Sequence, residues 1–222
     1  MTANVDAYAQ CSARFGENQS GDAARLFYGE DAVTAVLVGG DGEAMHACVL
    51  AGMVASMLGS ALSHPVAVDE AVATVVDMLP KGGSTASVLF TVAQIRADGA
   101  AYLARLSMPS IVFLRRGRVL PFSAETHRCG SYVFEETRMR LKPRDTLICF
   151  GNGVAQAGDG VPYAPDWSGT LLPAYLEMAY TPSVPARKIG ELLLSVSNSL
   201  CGDKPQNDLS VAVLRYRPVQ EV

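Results

Sequence analysis

The chain has 222 residues, of which 49% are hydrophobic and 18% charged, a balance that supplies a sizeable core and excludes an intrinsically disordered segment. Lys and Arg total 18 against 22 Asp and Glu, and the resulting net charge of −4 excludes the basic excess of a dedicated nucleic-acid binder. Met1–Asp6 carries no basic stretch followed by an apolar core, so no signal peptide is expected.

Val5 to Phe15 alternates apolar and other residues with period two, which predicts a strand. After a polar loop, Ala23–Tyr28 and Ala32–Val38 read as a hairpin about Gly29-Glu30-Asp31, and Gly39-Gly40-Asp41-Gly42 is expected to break the chain. A long apolar helix follows from near Glu43. Its most apolar part, Ala47 to Leu62, contains Gly52, Ser56, Gly59 and Ser60 and falls short of the roughly 20 apolar residues that span a bilayer. It reads as a helix buried between layers, with Met45, Met53 and Met57 as core filler. The expectation is a soluble, cytoplasmic protein with no membrane partner.

Asp69 to Leu79 repeats apolar residues at helical spacing and stops at Pro80, predicting a second helix. Ser84 to Phe122 reads as three or four antiparallel strands turning at Ala97-Asp98-Gly99, Met108-Pro109-Ser110 and Arg115-Arg116-Gly117. Tyr132–Leu141 and Thr146–Phe150 are further strands. Leu171–Tyr180 and Ala186–Leu200 are helical, and Leu209–Tyr216 closes as a strand. Clustered helices and antiparallel meanders predict one α+β layered domain over residues 1–222, not a parallel β-α-β fold.

The five cysteines, at 11, 48, 129, 149 and 201, have no C-x-x-C spacing and read as buried reduced thiols. His46 is a polar residue in the first turns of the apolar helix, with general acid or metal ligand as its other reading. His64 and His127 are expected at the surface, His127 in a loop. Arg115, Arg116 and Arg118 read as a solvated hairpin tip, with contact to an acidic partner as their other reading, and Lys81–Thr85 reads as a loop rather than a phosphate-binding loop. Arg14, on the first strand, could reach a phosphate if it points toward the site.

Four segments place short polar side chains beside glycines or at strand ends: Ser20-Gly21-Asp22, Gly40-Asp41-Gly42, Gly151-Asn152-Gly153 and Gln206-Asn207-Asp208. Oxygen donors converging from strand ends are what Mg²⁺ or Mn²⁺ requires, although any one Asx-Gly is more often simply a turn. Their order along the chain resembles the SpoIIE-like branch of the PPM (type-2C) metal-dependent protein phosphatases. The correspondence runs from Ser20-Gly21-Asp22 and Val36-Leu-Val-Gly-Gly-Asp41-Gly42, through the hairpin that follows Pro109, to Arg138–Ala157 and Asn207-Asp208-Leu-Ser-Val. Arg138–Ala157 is similar to a family segment ending in Asp-Gly-Val-x-Glu-Ala, and the last stretch to the closing Asp-Asp-x-Thr strand.

The resemblance implies a four-layer αββα sandwich of two antiparallel sheets flanked by helices, with two Mn²⁺ or Mg²⁺ ions at one end. It implies catalytic, metal-binding roles for Asp22 and Asp41, and further metal contacts from Gly42, Asn152, Asn207 and Asp208. Asp22 matches the family pattern. Asp41 matches if the loop is shortened after it, whereas an ungapped match from the helix puts Gly40 there. Asn152 and Asn207 stand where the family has Asp, and a neutral amide offsets none of the repulsion between two dications. One metal, or none, is therefore conceivable here. Two readings follow: a weak or altered phosphoserine/phosphothreonine phosphatase acting on a bacterial signalling regulator of the anti-anti-sigma kind, or an inactive pseudophosphatase that binds such a phosphoprotein. A third class, an unrelated α+β binding domain, would lack the paired sheets.

Overall fold

The computed structural model describes residues 4–41, 44–64, 66–79, 87–109, 111–159, 167, 171–181 and 183–217. In chain order the elements are β1 (Val5–Ser12), β2 (Ala23–Tyr28), β3 (Ala32–Asp41), α1 (Ala44–Leu62), α2 (Val68–Met78), β4 (Ser87–Arg96) and β5 (Ala100–Leu106). They continue through β6 (Val112–Arg115), β7 (Arg118–Leu120), β8 (Glu125–Cys129), β9 (Tyr132–Arg140), β10 (Thr146–Phe150), α3 (Asn152–Ala155), α4 (Leu172–Ala179), α5 (Ala186–Leu200) and β11 (Leu209–Tyr216). The strands form a five-stranded sheet, β1-β11-β10-β6-β7, and a six-stranded sheet, β2-β3-β4-β5-β9-β8. All pairings described are antiparallel, as expected for meanders without crossover helices.

Side-chain alternation sorts the strands into three apolar layers. Leu37, Ile95, Leu103, Leu147 and Leu214 fill the space between the sheets. Val36, Val38, Phe90 and Val92 point the other way, onto Val54, Leu58, Val72 and Val76 of α1 and α2. On the five-stranded sheet, Ile148, Val211 and Val213 face Leu176, Ile189 and Leu193 of α4 and α5. The result is helices, sheet, sheet, helices: an αββα sandwich, as expected. Each fully buried Leu, Ile or Phe in these layers contributes roughly 1.5–3 kcal/mol relative to exposure.

Several expectations are corrected. β1 ends at Ser12, paired with Leu209, because β11 offers no ladder partner beyond it. Arg14 therefore lies past the strand, where its N–H donates to the Asp208 carboxylate (2.9 Å), and the Phe15 N–H donates to the Pro205 carbonyl (2.8 Å). β3 does not break at Gly39 but runs to Asp41, because β4 supplies partners Leu89, Val88 and Ser87. Gly40 also lets α1 lie against the bare strand: a Cβ there would sit 2.4 Å from the Ala47 carbonyl oxygen.

His127 is on edge strand β8, not in a loop, with Nε2 3.2 Å from a Glu136 carboxylate oxygen on β9. Met53 is not core filler; it is 55% exposed on the outer face of α1. Met57 is partly buried against the helix–sheet core. All five thiols are free, but only Cys149 is fully buried and the other four are half-buried. Lys81–Thr85, Gly42 and the side chains of Asp41 and Met45 lie outside the described residues. No described helix is long and apolar enough to cross a membrane.

Candidate functional site

At one end of the sandwich the chain leaves β1, enters β2, leaves β3, passes from β10 into α3 and enters β11. The backbone turns there close around a polar cavity of about 290 Å³, lined by Arg14, Asp22, Gly39, Gly40, Asn152, Gly153, Gln156, Asn207 and Asp208, with Leu89 and Met108 as its apolar wall. Four of the residues singled out in the sequence, Asp22, Asn152, Asn207 and Asp208, are thus brought together from segments as far apart as 186 positions (208 minus 22). From β3 the lining residues are Gly39 and Gly40. Asp41 ends the strand opposite Ser87, and Gly42 lies outside the described residues. His46 is exposed on the first turn of α1 and is not among the lining residues.

Asp22 lies half-buried in the cavity wall. Its Oδ2 accepts a hydrogen bond from the Ser210 hydroxyl (2.6 Å), and its N–H donates to Ser20 Oγ (3.1 Å). Burial raises its pKa from 3.8 to about 6; the Ser210 hydrogen bond opposes the rise and the nearby Asp208 charge adds to it. Ser210 escaped the sequence reading, although a lone hydroxyl within the apolar run Leu209-Ser-Val-Ala-Val was a signal for it.

Asp208 has a different task. Oδ1 accepts the Arg14 N–H and Oδ2 the Gly21 N–H, both at 2.9 Å, so one carboxylate ties the exit of β1 to the approach of β2. Both donors are backbone groups that would otherwise lack a strand partner.

Asn152 opens α3 directly after β10. Gly153 is required behind it, because a Cβ at that position would lie 2.1 Å from the Asp208 carbonyl oxygen. The Asn207 amide donates to Gln156 Oε1 (3.2 Å). Gln156 was missed as a lining residue, although it occupies the Glu position of the Asp-Gly-Val-x-Glu-Ala pattern.

A two-metal centre needs several anionic oxygens free to point at the ions. The described lining offers two carboxylates. One is bonded to a hydroxyl and the other to two backbone N–H groups, while 152, 156 and 207 contribute neutral amides. Among the described residues no group of three or more His, Cys, Asp or Glu is placed to hold a metal ion. These donors do not fit two dications.

No curated protein is similar in sequence at a significant level. Solved structures are similar in fold. The phosphatase domain of the cell fate determinant SpoIIE from Bacillus subtilis superposes with a TM-score of 0.74 at 16% identity, over 98% of this chain and 94% of that one. The RsbU and RsbW domains of a Mycobacterium tuberculosis protein give 0.78 at 14% identity, over 98% of this chain and 62% of theirs. The PPM Ser-Thr phosphatase MsPP from Mycobacterium smegmatis, in complex with cacodylate, gives 0.65 at 10% identity, over 96% and 99%. The sequence profile of Stage II sporulation protein E (SpoIIE) matches residues 29–217, most of the chain, and together with the paired antiparallel sheets it establishes that the protein belongs to the SpoIIE family of PPM-type phosphatase domains.

Proposed function

We propose that this SpoIIE-type domain works as a binding and regulatory module, a pseudophosphatase, rather than as a two-metal hydrolase. One observation carries the reading: the two described carboxylates of the cavity are already committed to protein hydrogen bonds, and amides stand at the other described donor positions, 152 and 207. Hydrolysis in this family is metal-dependent. Two dications held about 4 Å apart repel strongly unless anionic ligands surround them, and Asn152 and Asn207 supply no charge.

What remains is a polar cavity with Arg14 on its rim and hydrogen-bonding amides inside, suited to a phosphorylated or polar side chain of a signalling protein. A phosphoprotein regulator of the anti-anti-sigma kind, in the cytoplasm, is the partner this reading names. Asp22 and Asp208 then hold the cavity's shape, and no step passes through Mn²⁺ or Mg²⁺.

Calorimetric titration with Mn²⁺ and a phosphopeptide hydrolysis assay test this directly. The expected result is no pair of tight sites and no turnover above a metal-only control. The double variant Asn152→Asp/Asn207→Asp is expected to bind Mn²⁺ more tightly than the parent. Two tight sites with metal-dependent hydrolysis by the unmodified chain would reverse the assignment in favour of an active phosphatase.

A further inference from the structure

At the opposite end of the sandwich, away from the cavity, the β6–β7 tip, the β9–β10 turn and the end of β11 meet around Tyr180. Its hydroxyl donates to the Arg144 carbonyl (2.9 Å), and its ring lies 3.4 Å from where a Gly117 Cβ would be. The Arg144 N–H in turn donates to the Tyr216 carbonyl (2.8 Å). The described acidic residues of this end are already used. Asp145 takes Arg115 (2.6 Å), Glu177 takes Arg118 (3.2 Å), Asp98 takes Arg140 (3.0 Å) and Asp6 takes Arg217 (2.6 Å). Glu30, which has no ion pair among the described residues, is on the β2–β3 turn at the other lateral edge.

Four cations are left over. Arg116, Lys142 and Arg144 are exposed, and none pairs with a described carboxylate. Arg215 is 1% exposed beneath the Tyr180 ring. Its Nε donates to Thr146 Oγ1 (3.1 Å) and Nη1 to the Val184 carbonyl, while Nη2 has no partner among the described residues. Arg116 and Arg144 also hold positive φ, +53° and +73°, in turns where glycine would be cheaper. A chain with net charge −4 therefore concentrates three exposed cations, none paired with a described carboxylate, at one small pole above the buried Arg215, whose charge Asp6 also reaches.

We propose that this pole docks a short acidic segment of a protein partner, with Arg116, Lys142 and Arg144 contacting its carboxylates over the buried charge of Arg215. Three exposed cations match a segment of a few carboxylates, and planar guanidinium groups suit bidentate carboxylate recognition. The negative remainder of the surface disfavours a long polyanion such as nucleic acid or an anionic bilayer, which would extend beyond the patch.

The test uses a fluorescein-labelled hexaglutamate peptide and fluorescence anisotropy, at about 50 mM and about 200 mM salt, salt concentrations that bracket a Debye length of about 10 Å. The unmodified chain is expected to bind, more weakly at the higher salt. The variant Arg116→Glu/Lys142→Glu/Arg144→Glu, all exposed changes checked for native circular dichroism, is expected to weaken binding by about tenfold or more. Arg25→Glu/Arg128→Glu/Lys204→Glu makes the same change in net charge elsewhere and is expected to leave binding within about twofold. No binding by the unmodified chain, or equal loss in both triple variants, overturns the proposal. So does tighter binding to a single-stranded oligonucleotide or to phosphatidylserine vesicles than to the peptide.

Discussion

Replacing Asp22 by Asn removes a charge that the fold holds at a cost. The carboxyl has a pKa near 3.8 in the unfolded chain and about 6 in the folded one, so the folded state keeps its proton more tightly. As pH rises through 3.8 the unfolded state ionises first and stability falls. It goes on falling until about pH 6, where the folded carboxyl ionises too, and is flat above that. Two pKa units at about 1.4 kcal/mol each set a ceiling near 3 kcal/mol, and because the residue is only half-buried, solvent reduces this to about 1–2 kcal/mol. Asn is nearly isosteric and its Oδ1 still accepts the Ser210 hydroxyl. Urea unfolding of both proteins in EDTA should therefore show Asp22→Asn the more stable by about 1–2 kcal/mol at pH 8, with the difference shrinking below pH 6 and vanishing near pH 3.5. A variant that is equally or less stable than the parent at pH 8 in EDTA would refute the reasoning, because it would mean that the ionised carboxylate is well compensated where it stands.

Other perturbations test the scaffold. Asp145 is almost fully buried and accepts from Arg115 and from the Lys142 N–H (2.7 Å), so Asp145→Ala should cost about 2–4 kcal/mol in urea unfolding by leaving those donors unpaired. Phe90, with no exposure, fills the layer under α1 and α2; Phe90→Ala should cost about 3–5 kcal/mol and lower the thermal midpoint accordingly. Burial pushes the Cys149 thiol up to about 12, so thiol titration with an aromatic disulfide should leave it unmodified until denaturant is added, while half-buried Cys11, Cys48, Cys129 and Cys201 react first.

Much of the architecture was legible because the strands and helices carry unambiguous periods. Leu209–Tyr216 alternates between the two cores, and Ala71, Val72, Val75 and Val76 form one helical stripe, so element type followed from pattern alone. β8 was not legible. Glu125-Thr-His-Arg-Cys129 has no apolar alternation, and it is a strand because β9 offers it an edge to pair with. The end of β3 was misread for a related reason: glycines usually interrupt a strand, but here β4 continues the ladder past them. At the cavity, Asp22, Asn152, Asn207 and Asp208 were found through motif order. What Asp208 does with its two oxygens was not, since the N–H groups it accepts belong to residues 14 and 21, almost two hundred positions away.

The tight apposition of Gly40 on Ala47 bears on any attempt to add a carboxylate to this wall of the cavity. A carboxylate installed at 40 would meet the main chain of α1, which has no rotamer with which to yield, before it reached the cavity. Mutating ligands one at a time is thus blocked on this wall by sterics rather than by charge. The shortest engineering route starts with a retreat of the helix by a fraction of its diameter, and only then with acidic residues.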